Sequence, residues 1–133
     1  MKSPNWVARH VVLALHKESI AAFGGSDGIR NEGLLDSALA RPENIFCYGT
    51  PTPHELAAAY GYGLVKNHTF IDGNKRTAFL STAVFLMDNG FEPIATEAEV
   101  VSTITALAAS QLSEAEFAQW LKQSFKSINK TLK

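Results

Sequence analysis

The sequence predicts an all-α fold, a single-domain helical bundle over residues 1–133. Three observations carry this. A hydroxyl residue followed three positions later by glutamate occurs at Thr52–Glu55, Thr96–Glu99 and Ser113–Glu116, each time just before an apolar run. In such a capping box the hydroxyl accepts from an orphan backbone N–H, and the glutamate reaches back to the cap. The stretch NKRTAFLSTAVFLMDNG (residues 74–90) is apolar on nearly every side, as a buried central helix must be. Alternation of period two is absent, apart from a few residues around FEPIA.

In chain order, NWVARHVVLALHKESIAAF (5–23) carries apolar residues at Val7, Val11, Ala14, Leu15 and Ile20, close to a helical period. GGSDG ends it, because glycine takes the left-handed angles a helix end needs. NEGLLDSALARP (31–42) predicts a short helix stopped by Pro42. HELAAAYGYGLVKN (54–67) follows, with Pro53 at the first helical position and with Gly61 and Gly63 marking close packing. After the central helix, which Asn89-Gly90 ends, come EAEVVSTITALAASQ (97–111) and EAEFAQWLKQSFK (114–126). The lysines of the last 12 residues suit a helix C-terminus.

Composition narrows the function. Hydrophobic residues at 46% of 133 give a folded domain with a real core. Twelve Lys and Arg against thirteen Asp and Glu, net charge -1, argue against charge-driven binding of nucleic acid. Cys47, the only cysteine, suits a reducing cytoplasm and reads as a small apolar residue. Arg9 and His10 interrupt the apolar N-terminal run, so neither a signal peptide nor a membrane span is expected.

Between the third and fourth helices lies HTFIDGNKRTA, which starts at His68. Taken singly, His68 would be a cap or a packed residue, Asp72 an N-cap, and Lys75 and Arg76 solvated. Together they form a constellation at a helix N-terminus, where free N–H groups and the helix dipole attract anions. Gly73 lets backbone approach a phosphate, and Asn74 follows it. Lys75 and Arg76 add positive charge, and Asp72 makes sense as a ligand of a magnesium ion that bridges to phosphates. His68 can then act as a general base, with Phe70 anchoring the loop in the core.

The run His-Thr-Phe-Ile-Asp-Gly-Asn-Lys-Arg resembles the signature of the Fic/Doc family, His-x-Phe-x-[Asp/Glu]-[Gly/Ala]-Asn-[Gly/Lys]-Arg. The resemblance extends through GIRNEGLLDSALARP and ELAAAYGYGLVKNHTF to DGNKRTAFLSTAVFLMDNG. It is strongest toward the Doc, or death-on-curing, toxins of bacterial type II toxin–antitoxin systems. The resemblance implies a helical bundle and a catalytic His68. It further implies magnesium at Asp72, an anion-binding turn at Gly73 and Asn74, and nucleotide phosphates held by Lys75 and Arg76. AMP-transferring members have glycine where Lys75 stands and a second arginine where Phe79 stands. The lysine form implies a reversed nucleotide, ATP or another nucleoside triphosphate, whose γ-phosphate passes to a protein hydroxyl. Elongation factor Tu is the implied target. Nucleotidyl transfer, or a non-catalytic module that binds an antitoxin, are the alternatives.

Such relatives are often restrained by an internal [Ser/Thr]-x-x-x-Glu-[Gly/Asn] motif. Ser110 to Ala115 comes nearest, but Ala115 breaks the pattern and a turn between helices explains the stretch. An antitoxin acting in trans is therefore expected, as a segment that folds into an apolar groove beside the His68 loop. HELAA at His54 lacks the second histidine of a zinc protease, and FGGSDG lacks the lysine of a P-loop. His10 and His16 are expected to be packing residues of the first helix.

Overall fold

Residues 3–128 are described by a computed structural model. In order they form α1 (Arg9–Phe23), α2 (Glu32–Tyr48), α3 (Pro53–Lys66), α4 (Asn74–Asp88), β1 (Phe91–Pro93), α5 (Glu97–Ala108), α6 (Glu114–Ser124) and β2 (Phe125–Ser127). The two short strands pair antiparallel, Phe91 opposite Ser127 and Pro93 opposite Phe125. The fold is all-α, with this ribbon as its only sheet among the described residues. No helix among them is long and apolar enough to cross a membrane.

All three capping boxes form, at the starts of α3, α5 and α6. Helices α3 and α4 sit side by side at the centre. Small residues make this possible: a Cβ at Gly61 would lie 2.6 Å from Thr82 Oγ1 on α4 and 2.8 Å from Phe117 Cε2 on α6. One at Gly63 would lie 3.1 Å from Arg41 Cδ on α2. On α4 the buried face includes Thr77, Ser81 and Thr82, and Thr82 satisfies its hydroxyl by donating to Ala78 O at 2.8 Å.

The structure departs from the sequence expectations at several places. Helix α1 begins at Arg9, and its buried residues are Val12, His16 and Ser19. Upstream, Val7 is buried in extended chain, and its N–H donates to Tyr60 Oη at 3.0 Å. Burial pushes the Tyr60 phenol up to about 12, with that hydrogen bond pulling the other way. Helix α2 does not stop at Pro42 but runs through it to Tyr48. Proline forfeits one helical hydrogen bond. Continuing the helix packs Ile45 and Phe46 against the core, with Phe46 edge-on to Trp6 at 5.6 Å. Helix α5 ends at Ala108, three residues early, where Ser110 turns left-handed. Helix α6 stops at Ser124 because Phe125, fully buried, is claimed by the strand pairing with Pro93. Lys122 does lie in the last turn of α6, whereas Lys126 is in β2, and Lys130 and Lys133 lie outside the described residues. Cys47 is exposed on α2 and is not a packing residue.

Candidate functional site

The loop from Asn67 to Gly73 joins α3 to α4 and is pinned at its middle by Phe70. Phe70 is fully buried, with its ring stacked on that of His16 at 3.8 Å. Asn74, the first residue of α4, folds back over it. Its Oδ1 accepts from Phe70 N–H at 2.8 Å, and its Nδ2 donates to Phe70 O at 2.8 Å. The same Nδ2 lies 3.1 Å from His68 Nδ1. Because the two Phe70 bonds fix which end of the amide is nitrogen, Nδ1 must accept, and the neutral ring carries its proton on Nε2. Proton abstraction at Nε2 requires the other tautomer, which a turn of the imidazole away from Asn74 on substrate binding would allow.

His68 itself is exposed and has φ 50, a left-handed conformation for a residue with a Cβ. Such backbone costs about 1–3 kcal/mol and persists only where neighbours hold it. Here they do. Arg30 Nε–H donates to His68 O at 2.7 Å and Arg30 Nη2–H to Asn67 O at 2.9 Å. The main chain adds Arg30 N–H to Thr69 O at 2.8 Å and Ile71 N–H to Gly28 O at 3.2 Å.

At the other end of the loop Gly73 is the N-cap of α4, with φ 79, and no side chain caps this helix. Its first N–H groups are therefore left for a ligand, at the positive end of the dipole. A Cβ at Gly73 would meet Ile20 Cδ1 at 3.2 Å, so a larger residue would be both strained and crowded. Asp72 is exposed, and its Oδ2 accepts from Ser26 N–H at 2.7 Å, while its carbonyl is 2.8 Å from His16 Nε2.

His68, Asp72, Gly73, Asn74 and Lys75 line one cleft of about 490 Å³, together with Lys66. Arg76 does not line it. Its guanidinium sits 4.0 Å over the Phe23 ring and its Nη1 is 3.3 Å from Ser19 Oγ, at the end of α1. Phe79 is half-buried against Phe125, ring centroids 6.4 Å apart. A larger cleft, about 780 Å³, lies between the α2–α3 turn and α6, near His54 and Lys122. Its polar groups serve the fold: Thr52 and Glu55 form a capping box, His54 Nε2 meets Phe125 O at 3.3 Å, and Glu114 pairs with Arg41. Chemistry favours the smaller cleft.

Among the described residues no three His, Cys, Asp or Glu side chains converge as a metal site. Magnesium needs no such cage when it arrives with phosphates, since one carboxylate then suffices. Asp72, with one oxygen committed to Ser26 and Oδ1 uncommitted, fits that role.

Two supports of the site, Ser26 and Arg30, were not singled out in the sequence, and a third, His16, was read there only as a packing residue of the first helix. Arg30 stands within the quoted GIRNEGLLDSALARP, but nothing local to it points at His68.

A helical scaffold that presents a histidine and an uncapped helix N-terminus to one cleft is suited to holding an anion beside a base. The family model described as Fic/DOC family matches residues 6–86. The chain belongs to the Fic/Doc family. It is 45% identical to "Toxin Doc" of Mycolicibacterium smegmatis over 74 residues, 53% of this chain and 56% of that protein. That alignment therefore spans about half of the mycobacterial relative. Over 124 residues it is 28% identical to "Protein kinase doc" of Escherichia phage P1, covering 90% of this chain and 98% of that one.

Proposed function

We propose that this protein is a Doc-type toxin that transfers the γ-phosphate of ATP, or another nucleoside triphosphate, to a protein hydroxyl. The observation that carries the reading is Lys75 in the cleft with His68, combined with Phe79 packed on Phe125. A nucleotidyl-transferring member has glycine and arginine at these two positions. The relative called "Toxin Doc" supports the toxin part of this reading and the one called "Protein kinase doc" supports the phosphoryl transfer.

In this reading the free N–H groups at Gly73 and Asn74, with Lys75, hold phosphate oxygens. Magnesium at Asp72 would offset phosphate charge when bound with the nucleotide. The substrate hydroxyl oxygen bonds to the γ-phosphorus in line as the bond to the β,γ-bridging oxygen breaks. The nucleoside diphosphate leaves, and His68 takes the hydroxyl proton. Phosphoryl transfer of this kind depends mainly on positioning and charge, which a rigid loop supplies. Arg76, turned toward Phe23, joins the phosphates only after a rotamer change.

The proposed target is translation elongation factor Tu, in the cytoplasm, with translation blocked as the outcome. Restraint falls to an antitoxin in trans. The retained Asp72-Gly73-Asn74 turn still permits nucleotidyl transfer, which is the second reading. The test is incubation of the purified protein with elongation factor Tu and ATP labelled at either the γ- or the α-phosphate. Label from the γ-position alone supports the proposal. Label from the α-position, with a mass gain of a whole nucleotide, replaces it with the second reading.

A further inference from the structure

The main-chain carbonyls of Asn67, His68, Thr69 and Phe70 all have partners. Three of these four acceptors are served by one residue, Arg30, which is 38 positions before His68. Its Nε–H reaches His68 O, its Nη2–H reaches Asn67 O, and its own N–H reaches Thr69 O. The fourth is served by Asn74. A guanidinium is suited to this, because its planar fork presents two fixed donors to two successive carbonyls. An ammonium would offer a single point of contact. The peptide planes on both sides of His68 are thus tied to the segment before α2, at the residue whose φ of 50 most needs holding. The Arg30 N–H to Thr69 O bond and the Ile71 N–H to Gly28 O bond flank the antiparallel bridge between Ile29 and Phe70, so the two segments are tied along their backbones as well.

We infer that Arg30 is a positioning residue for His68. It holds the left-handed His68 backbone so that the imidazole is presented to the cleft from a fixed point, whichever nitrogen faces Asn74. It acts through His68 and not on the nucleotide, since it is absent from the lining of the cleft. The inference rests on the proposed role of His68 as base, but one of its readouts does not.

Arg30→Ala and Arg30→Lys test it by three measurements: steady-state γ-phosphoryl transfer, thermal unfolding, and the ¹⁵N resonances of the His68 imidazole. In the wild type the resonances should show Nδ1 as acceptor and the proton on Nε2. For Arg30→Ala the expected result is a kcat reduced about 100-fold, the scale of a small misplacement of a catalytic group. KM for the nucleotide should hold, and the imidazole resonances should move to the average of two tautomers. Arg30→Lys should recover part of kcat. Should Arg30→Ala not fold, Arg30→Lys carries the same readouts, with intermediate values expected. A lower melting temperature with wild-type kcat and imidazole resonances would reduce Arg30 to a cap of α3 and overturn the inference. A raised KM at unchanged kcat would make it a nucleotide ligand and also overturn it. If the wild type transfers no phosphate, the reading of the reaction fails. The imidazole resonances then still decide Arg30: fixed in the wild type and averaged in Arg30→Ala, they uphold it, and identical in both, they refute it.

Discussion

Replacing Asn74 with alanine should separate the rigidity of the loop from the chemistry of the cleft. The side chain makes two bonds of 2.8 Å to Phe70 and one of 3.1 Å to His68 Nδ1. A net hydrogen bond is worth about 0.5–1.5 kcal/mol, so the two Phe70 bonds together contribute roughly 1–3 kcal/mol. Phe70 is buried but Asn74 is only partly so, and water entering where its amide was can reach Phe70 N–H and C=O, which places the loss near the middle, about 2 kcal/mol. For a chain of this size, roughly 3–5 °C is lost per kcal/mol, so the melting temperature should fall by about 6–10 °C. Transfer should fall much more than stability, because the loop that presents His68 to the cleft loses its brace at Phe70. Asn74→Asp adds a sharper contrast. A carboxylate can accept from Phe70 N–H but cannot donate to Phe70 O or to Nδ1. It would instead accept a hydrogen bond from Nδ1–H and so switch the His68 tautomer. Circular dichroism on heating, labelled phosphate transfer and imidazole ¹⁵N spectra make the assay. Wild-type melting and wild-type transfer in Asn74→Ala would refute the reasoning, as would an unchanged tautomer in Asn74→Asp.

The other expectations can be checked with the same preparations. His68→Ala should abolish transfer with little change in melting temperature, since the side chain is exposed, and a mutant that unfolds would contradict this. Asp72→Ala should lose transfer, and chelation should mimic it in the wild type; full activity in excess chelator would remove the metal role. Glu114→Ala should leave transfer by the protein alone unchanged, because Glu114 pairs with Arg41 and is absent from the lining of the His68 cleft. A gain of activity on that substitution would mean internal restraint. Burial lowers the pKa of His54 below its ordinary 6.5, the Lys122 charge acts the same way, and the hydrogen bond to Phe125 O opposes both. The unfolded chain then takes up the proton first, so stability should fall as pH drops from 6.5 toward the lowered folded value and not change from this group above 6.5. Urea unfolding of the wild type and of His54→Gln across that window reads it: a slope that survives the substitution does not come from His54.

The parts of the fold legible in the sequence are those set by neighbours along the chain. The capping boxes at Thr52, Thr96 and Ser113 are local by construction, and all three helices start where they indicate. The glycines at 61 and 63 read correctly because nothing else fits against Thr82, Phe117 and Arg41. The errors came where distant contacts override a local signal. Pro42 is a helix stop in isolation, yet the packing of Ile45 and Phe46 draws the helix past it. Phe125 continues a good helical pattern, yet β1 claims it.

The site divides along the same line, and the division explains its construction. His68, Asp72, Gly73, Asn74 and Lys75 can be read together because a loop entering a helix brings residues that are neighbours along the chain into one cleft. What holds them is not contiguous. Arg30 is 38 residues from His68, and His16 is 56 from Asp72. Each looks ordinary in its own segment, an arginine in a polar loop and a histidine on a helix. A left-handed histidine cannot be stabilised by its own flanks, since their carbonyls point to partners that the α3–α4 loop lacks. The donors must come from elsewhere, and the segments after α1 and before α2 supply them, Ser26 N–H to Asp72 and Arg30 to the peptides around His68. The GGSDGIR stretch, read locally as a helix stop, is therefore also the outer wall of the site. Its glycines keep it close: a Cβ at Gly25 would meet Asp72 Cβ at 3.1 Å, and one at Gly28 would meet Ile71 Cδ1 at 3.2 Å. Bulk there would push the wall away from the loop, and with it the donors on which the His68 backbone depends.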